Sequence, residues 1–226
     1  MYKGIGLVVQ SEMRSRTYVK RHVGRVVVHE TSKFFHNDSV QQFIAAEIAK
    51  KQWIYKIIAG DKEADQVIVN QPEYMILPDA DATNDQFIVN WLVIFKDTSL
   101  HCIRSLRGYH LQLLLEVKNK VLEVFPEGHK PMLYFHHPPS VWQLHLHVAS
   151  PCDVLRTTND MQKVVFLEDV LWNLQHDTDY YLHYTTTYTL PIGHELIKCK
   201  ETGEKEEQIT SSPVVSQVTS PHTDGE

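Results

Sequence analysis

The chain has 226 residues and is 42% apolar, enough to build one large domain, or a domain plus a tail. Its 22 basic and 28 acidic residues give a formal charge of −6, poor equipment for gripping a long polyanion, since each phosphate contact recruits a Lys or Arg; a short nucleotide held by a few groups stays open. No run nears the ~18 apolar residues of a membrane span, Met1 to Gln10 is too short and weakly apolar for a secretory signal, and the three cysteines (Cys102, Cys152 and Cys199) lack a spacing pattern, which points to reduced thiols in the cytosol or nucleus.

In chain order, residues 1–25 form an irregular, basic N-terminal extension, and Val26 to Val28 begin a strand. Asp38 or Ser39 is placed to cap a helix whose apolar face is Val40, Phe43, Ile44 and Ile48. Trp53 to Ile58 reads as a strand, Ala59 to Lys62 as a turn, Asp65 to Asn70 as a second strand and Tyr74 to Leu77 as a third. Residues 80–86 form a polar loop, and Trp91 to Phe95 returns as a strand. Leu111, Leu114, Leu115, Lys118, Val121, Leu122 and Phe125 share a face of one helix that starts near Gly108 and stops at Pro126. A strand begins at Tyr134 to His136 and is interrupted by Pro138 and Pro139. Phe166, Val170 and Leu174 predict a last helix from near Asp160, and Tyr184 to Leu190 a last strand. Residues 200–226 are polar, without aromatic residues, and are expected to be a disordered tail. Strands interleaved with a few helices and joined by hairpin-length links predict an α+β domain with a mostly antiparallel sheet.

The chemistry concentrates in Gln143-Leu144-His145-Leu146-His147-Val148. A strand sends alternate residues to opposite faces, so Gln143, His145 and His147 share one face, about 7 Å apart at each step. Leu144, Leu146 and Val148 can anchor the other face in a core. Spacing alone leaves three readings open. The pair could hold a metal with His136 or His137 as a third ligand, although no carboxylate except Asp153 lies near with ligand spacing. It could be structural. Or a neutral imidazole could attack phosphorus while its neighbour stabilises phosphoryl oxygens.

Several ordered blocks decide among these. They are Gln52 to Ile58, Lys62 to Asp65, Ile76 to Asp79, Ile103 to Arg107 and Tyr134 to His147, closed by Val170 to Leu174 and Tyr184 to Leu190. Together, over residues 26–197, they resemble the histidine triad (HIT) superfamily and, within it, the C-terminal domain of the scavenger mRNA decapping enzymes. The resemblance implies a HIT-like domain over residues 26–199. It implies a metal-independent pyrophosphatase without cofactor, acting on the cap dinucleotide m7GpppN or short capped RNA, in the cytoplasm or nucleus, as a homodimer away from membranes and long nucleic acids. It makes His145 the nucleophile that forms a nucleotidyl-histidine, later hydrolysed to 7-methyl-GMP. Gln143 and His147 complete the triad, and His136 and Ser140 stand on the phosphate side. Trp53 corresponds to the tryptophan that stacks on the cationic base, and Glu63 and Asp79 to carboxylates that accept from the guanine edge.

The sequence departs from that pattern at four points. Gln143 replaces the first triad histidine, where an altered hold on the middle imidazole would slow the enzyme. Asp81 replaces a lysine, and Trp142 and Trp91 replace tyrosines. About 25 residues precede the matched region, too few for the additional closing domain of the decapping enzymes. These departures leave two alternatives: a catalytically weak or inactive cap- or nucleotide-binding protein, and a HIT hydrolase of another dinucleotide.

Overall fold

A computed structural model describes residues 24–79, 89–126, 130–150 and 163–199. The expected N-terminal extension, the loop at 80–86 with Asp81, and the C-terminal tail lie outside the described residues, apart from the last residues of the extension.

The architecture is α+β, with strands paired antiparallel throughout the described residues. Six strands form the main sheet: β2 (Val69–Asn70), β3 (Tyr74–Pro78), β4 (Asn90–Phe95), β5 (Met132–His136), β6 (His145–Ala149) and β7 (Val164–Phe166), in the order β2-β3-β4-β6-β5-β7. β1 (Arg25–Glu30) and β8 (Thr186–Pro191) pair as a separate two-stranded sheet. The histidine strand β6 is therefore interior, bonded to β4 on one side and β5 on the other.

The back of the main sheet is the principal core. Tyr74, Ile76, Val93, Phe95, Phe135, Leu144, Leu146 and Val148 meet helices α4 (Leu111–Val124) and α5 (Leu167–His176) there. Leu114 and Val121 of α4 are buried as expected, but Val117 is buried with them, while Leu115 and Leu122, expected on the same face, are 41% and 49% exposed. β3 reads Tyr-Met-Ile-Leu without alternation because both its faces are covered. Its Tyr74 and Ile76 join the back core, while Met75 and Leu77 lie under α3 (Trp53–Ile58) on the front.

That short helix corrects the strand expected over the same residues. Isoleucine-rich Trp-Ile-Tyr-Lys-Ile-Ile favours strands in isolation. Yet Ile54 and Ile57 are one helical turn apart, and both bury against Met75, Leu77 and Ile94, at 5% and 2% exposure. Tertiary packing selects the period that buries both. The strand expected over Asp65 to Asn70 shrinks to Val69–Asn70, preceded by a 3-10 turn over Ala64–Gln66. α2 (Asp38–Lys50) is capped by Asn37, whose side chain accepts from Ser39 N–H at 2.9 Å, rather than by Asp38 or Ser39. The last long helix begins at Leu167, after Phe166 ends β7. The short helices α1 (Ser32–Phe35) and α6 (Tyr180–His183) complete the set used below.

Candidate active site

Register places the site on the front of the sheet. His145 pairs with Ile94 and His147 with Leu92, and these two residues share the face on which α3 is packed. Tyr134 of β5 pairs with His147, so His136, two residues further along the same strand, faces the same way. Three imidazoles consequently form a row. The His145 and His147 ring centres are 5.2 Å apart, and those of His147 and His136 are 4.4 Å apart. Beside His147 the Tyr134 ring lies nearly parallel, 5.1 Å away and tilted by 6°. Spacing did not single out Tyr134; it becomes visible once the β5–β6 register is known.

The orientation of His145 is set by the main chain. Its Nδ1 is 2.7 Å from the Gln143 carbonyl oxygen. A carbonyl can only accept, so Nδ1 carries the proton and Nε2 keeps its lone pair. Gln143 itself precedes β6 and is completely buried. Its side-chain amide donates to Phe95 O at 2.8 Å and Asp97 O at 2.9 Å, tying the strand end to β4. The expectation that this side chain orients the imidazole is thus corrected: the backbone of residue 143 makes the bond, and the amide holds that backbone in place. The glutamine therefore does not by itself disturb the tautomer.

Burial lowers the pKa of His145, against the opposing pull of the Gln143 carbonyl and the Asp79 carboxylate. Burial, reinforced by His145 and His136, lowers His147 well below the usual imidazole range. Both rings are therefore neutral near pH 7. His147 Nε2 is buried and has no hydrogen-bond partner among the described residues.

Asp79, next after β3, has Oδ2 3.9 Å from His147 Nδ1, and its N–H donates to Asn90 O at 2.9 Å. It stands among the histidines. Trp53 is the first residue of α3 and is 44% exposed, on the helix that covers the front face. Glu63 is partly exposed and adopts φ 54°, a left-handed conformation that costs a non-glycine residue about 1 kcal/mol or more. Ser140 is exposed in the loop between β5 and β6, and its carbonyl accepts from Lys51 Nζ, a contact that no sequence signal announced. Trp142 and Trp91 are packing residues: Trp142 lies between Phe35 and Phe43, and Trp91 meets the Phe125 ring edge-on. Among the described residues, no group of three or more His, Cys, Asp or Glu side chains is arranged to hold a metal ion.

An antiparallel sheet whose interior strand presents alternating imidazoles, one with its Nδ1 held by the main chain, agrees with the resemblance to histidine triad proteins. Residues 52–162 match the family described as "Scavenger mRNA decapping enzyme C-term binding". Over those residues, about half of the chain, the domain is similar to the C-terminal domain of the decapping enzymes. It is 24% identical over 157 residues to the m7GpppX diphosphatase of Schizosaccharomyces pombe, covering 65% of this chain and 52% of that one. It is 25% identical over 175 residues to the enzyme of that name from Ascaris suum, covering 73% and 58%. With the Homo sapiens enzyme it shares 23% over 182 residues, covering 76% and 53%. The chain thus spans a little over half the length of these curated relatives. Among solved structures, the aprataxin ortholog Hnt3 from Schizosaccharomyces pombe covers 70% of this chain and 93% of its own, at 14% identity and a TM-score of 0.42.

Proposed function

We propose that this domain hydrolyses m7GpppN, or short capped RNA, through a covalent histidine intermediate. The observation that carries the reading is the 2.7 Å bond from His145 Nδ1 to the Gln143 carbonyl, which leaves Nε2 free to attack. Nε2 forms a bond to the phosphorus nearest 7-methylguanosine as the bond from that phosphorus to its bridging oxygen breaks. The departing nucleoside diphosphate is a stable anion near pH 7 and needs no proton to leave. The intermediate keeps the Nδ1 proton, so the ring is cationic. Asp79, whose charge favours protonated His145, and the Gln143 carbonyl stabilise it. Water then attacks phosphorus, 7-methyl-GMP departs with that oxygen, the surplus proton goes to solvent, and His145 returns to its starting form.

His147, His136 and Ser140 are assigned to the phosphoryl oxygens. The vacant His147 Nε2 supports this when it carries the ring proton. Trp53 is assigned to the methylated base and Glu63 to its N–H edge. In this reading the position of Asp79 beside His147 shifts its role from the base towards the histidines. The working unit is a homodimer, which sedimentation equilibrium would test.

Turnover of radiolabelled m7GpppG, GpppG and ApppA, with and without EDTA, tests the proposal. Release of 7-methyl-GMP from m7GpppG, preferred over the unmethylated dinucleotides and unaffected by chelator, is expected. Tight binding of m7GDP with no turnover of m7GpppG would replace hydrolysis by binding alone. Equal turnover of all three substrates would remove the roles given to Trp53 and Glu63.

A further inference from the structure

The end of β5 sends two successive histidines in different directions. His136 joins the row on the front, while His137 turns into a buried cluster at the junction with the small sheet. Glu30, the last residue of β1, lies at its centre. Its Oε1 accepts from His137 Nε2 and Arg104 Nε, both at 2.7 Å, and its Oε2 accepts from the Tyr188 hydroxyl at 2.7 Å. These four residues are 1–3% exposed. Arg104 also donates to Tyr181 O at 3.3 Å and lies 4.8 Å from the centre of the Phe35 ring. The His137 N–H donates to Lys163 O at 2.8 Å. One carboxylate thereby joins β1, β8, the 3-10 turn Ile103–Ser105 and the loop that leaves β5.

A buried ionic cluster is weak evidence for stability, because apolar residues of similar volume often serve as well. Among the described residues, Arg104 Nη2 and His137 Nδ1 have no hydrogen-bond partner, yet the three bonds to Glu30 still fix the orientation of each segment that contributes one. Here the oriented segment runs from His136 to Ser140, and Lys51 secures its far end through the Ser140 carbonyl. We infer that Glu30 and His137 are a positioning pair for the phosphate-side loop: their hydrogen bond sets the rotation of the β5 end, and with it the approach of His136 to His147. The inference rests on the proposed phosphate-side role of His136 and Ser140. Glu30 and His137 are 1% and 2% exposed, so they act through the segment they hold.

The test uses the full chain with two substitutions. His137→Leu removes the donor while keeping apolar bulk, and His137→Gln restores an N–H donor of similar reach. The first readout is the imidazole ¹H–¹⁵N spectrum of His136 and His145 in the free protein. The second is kcat and KM on m7GpppG. Leucine is expected to displace the His136 signals and to lower kcat/KM by about 10- to 100-fold, the usual scale for a lost orienting partner. Glutamine should bring both readouts back towards wild type. Unmoved His136 signals and unchanged kcat/KM per folded molecule in the leucine variant, whatever its melting temperature, would overturn the inference. Should the leucine variant fail to fold, Glu30→Asp, which withdraws the carboxylate by one methylene, decides in the same way: displaced His136 signals support the pair and unmoved ones refute it. If the wild type lacks turnover but its ring signals respond as expected, the positioning pair stands and the hydrolysis proposal falls.

Discussion

His136 and His137 are neighbours in sequence and opposites in environment. The row of His136, His147 and His145 lies on the front of the sheet, partly buried, with His145 and His147 shifted towards neutrality. His137 is fully enclosed, yet its pKa is raised to about 9: burial opposes the charge, and Glu30 and Cys102 outweigh burial. Glu30 is correspondingly lowered to about 2, because His137 and Arg104 outweigh its own burial. Desolvation alone leaves an imidazole neutral and nucleophilic, whereas desolvation beside a carboxylate makes it a cation fixed in place. In the proposed reading one region reacts and the other holds.

That contrast can be broken at its strongest point first. His145→Ala should reduce m7GpppG turnover on the order of 10³-fold or more, while changing stability by less than about 1 kcal/mol in urea unfolding. Normal release of 7-methyl-GMP by this variant would remove the nucleophile. Glu30→Gln should do the reverse in kind, costing about 3–5 kcal/mol of stability, because Arg104 would be left buried without its counter-charge; a urea midpoint equal to wild type would show that the cluster does not depend on that charge.

The pH dependence sharpens the comparison next. His137 has a folded pKa near 9 against an ordinary value of 6.5, so its contribution is complete below pH 6.5 and is lost as pH rises to about 9. Glu30, lowered from 4.5 to about 2, contributes fully above pH 4.5 and loses its contribution as pH falls to about 2. His145 and His147 have lowered values, so the unfolded chain takes up their protons first and they subtract stability below pH 6.5. Unfolding measured at pH 6.5, 7.5 and 9 should therefore show a decline on the order of 3 kcal/mol that His137→Gln largely abolishes. An equal decline in that variant would mean that His137 is not the group responsible. The smallest effect is expected at Gln143→Ala. Losing two hydrogen bonds to Phe95 O and Asp97 O should cost about 2 kcal/mol, while the ¹⁵N shifts of His145 keep the Nδ1–H tautomer, because its partner is a main-chain atom. A tautomer change would return the orienting role to the glutamine side chain.

The amino-acid sequence by itself determined the alternation that puts His145 and His147 on one face of a strand, the apolar partners that anchor that strand, and the ordered blocks that carry its likeness to the decapping-enzyme C-terminal domain. These are local signals, carried by residues that are neighbours on the chain. Tertiary structure decided what depends on distant segments meeting. Residues 53–58 satisfy either strand or helix locally, and the front of β3 and β4 selected the helix by burying Ile54 and Ile57 together. The hold on His145 came from a carbonyl, an atom that every residue has and that no side-chain pattern reveals. Glu30 meets His137 across 107 positions of chain because β1 pairs with β8 beside the loop leaving β5, so the charge of that buried ring was fixed by topology.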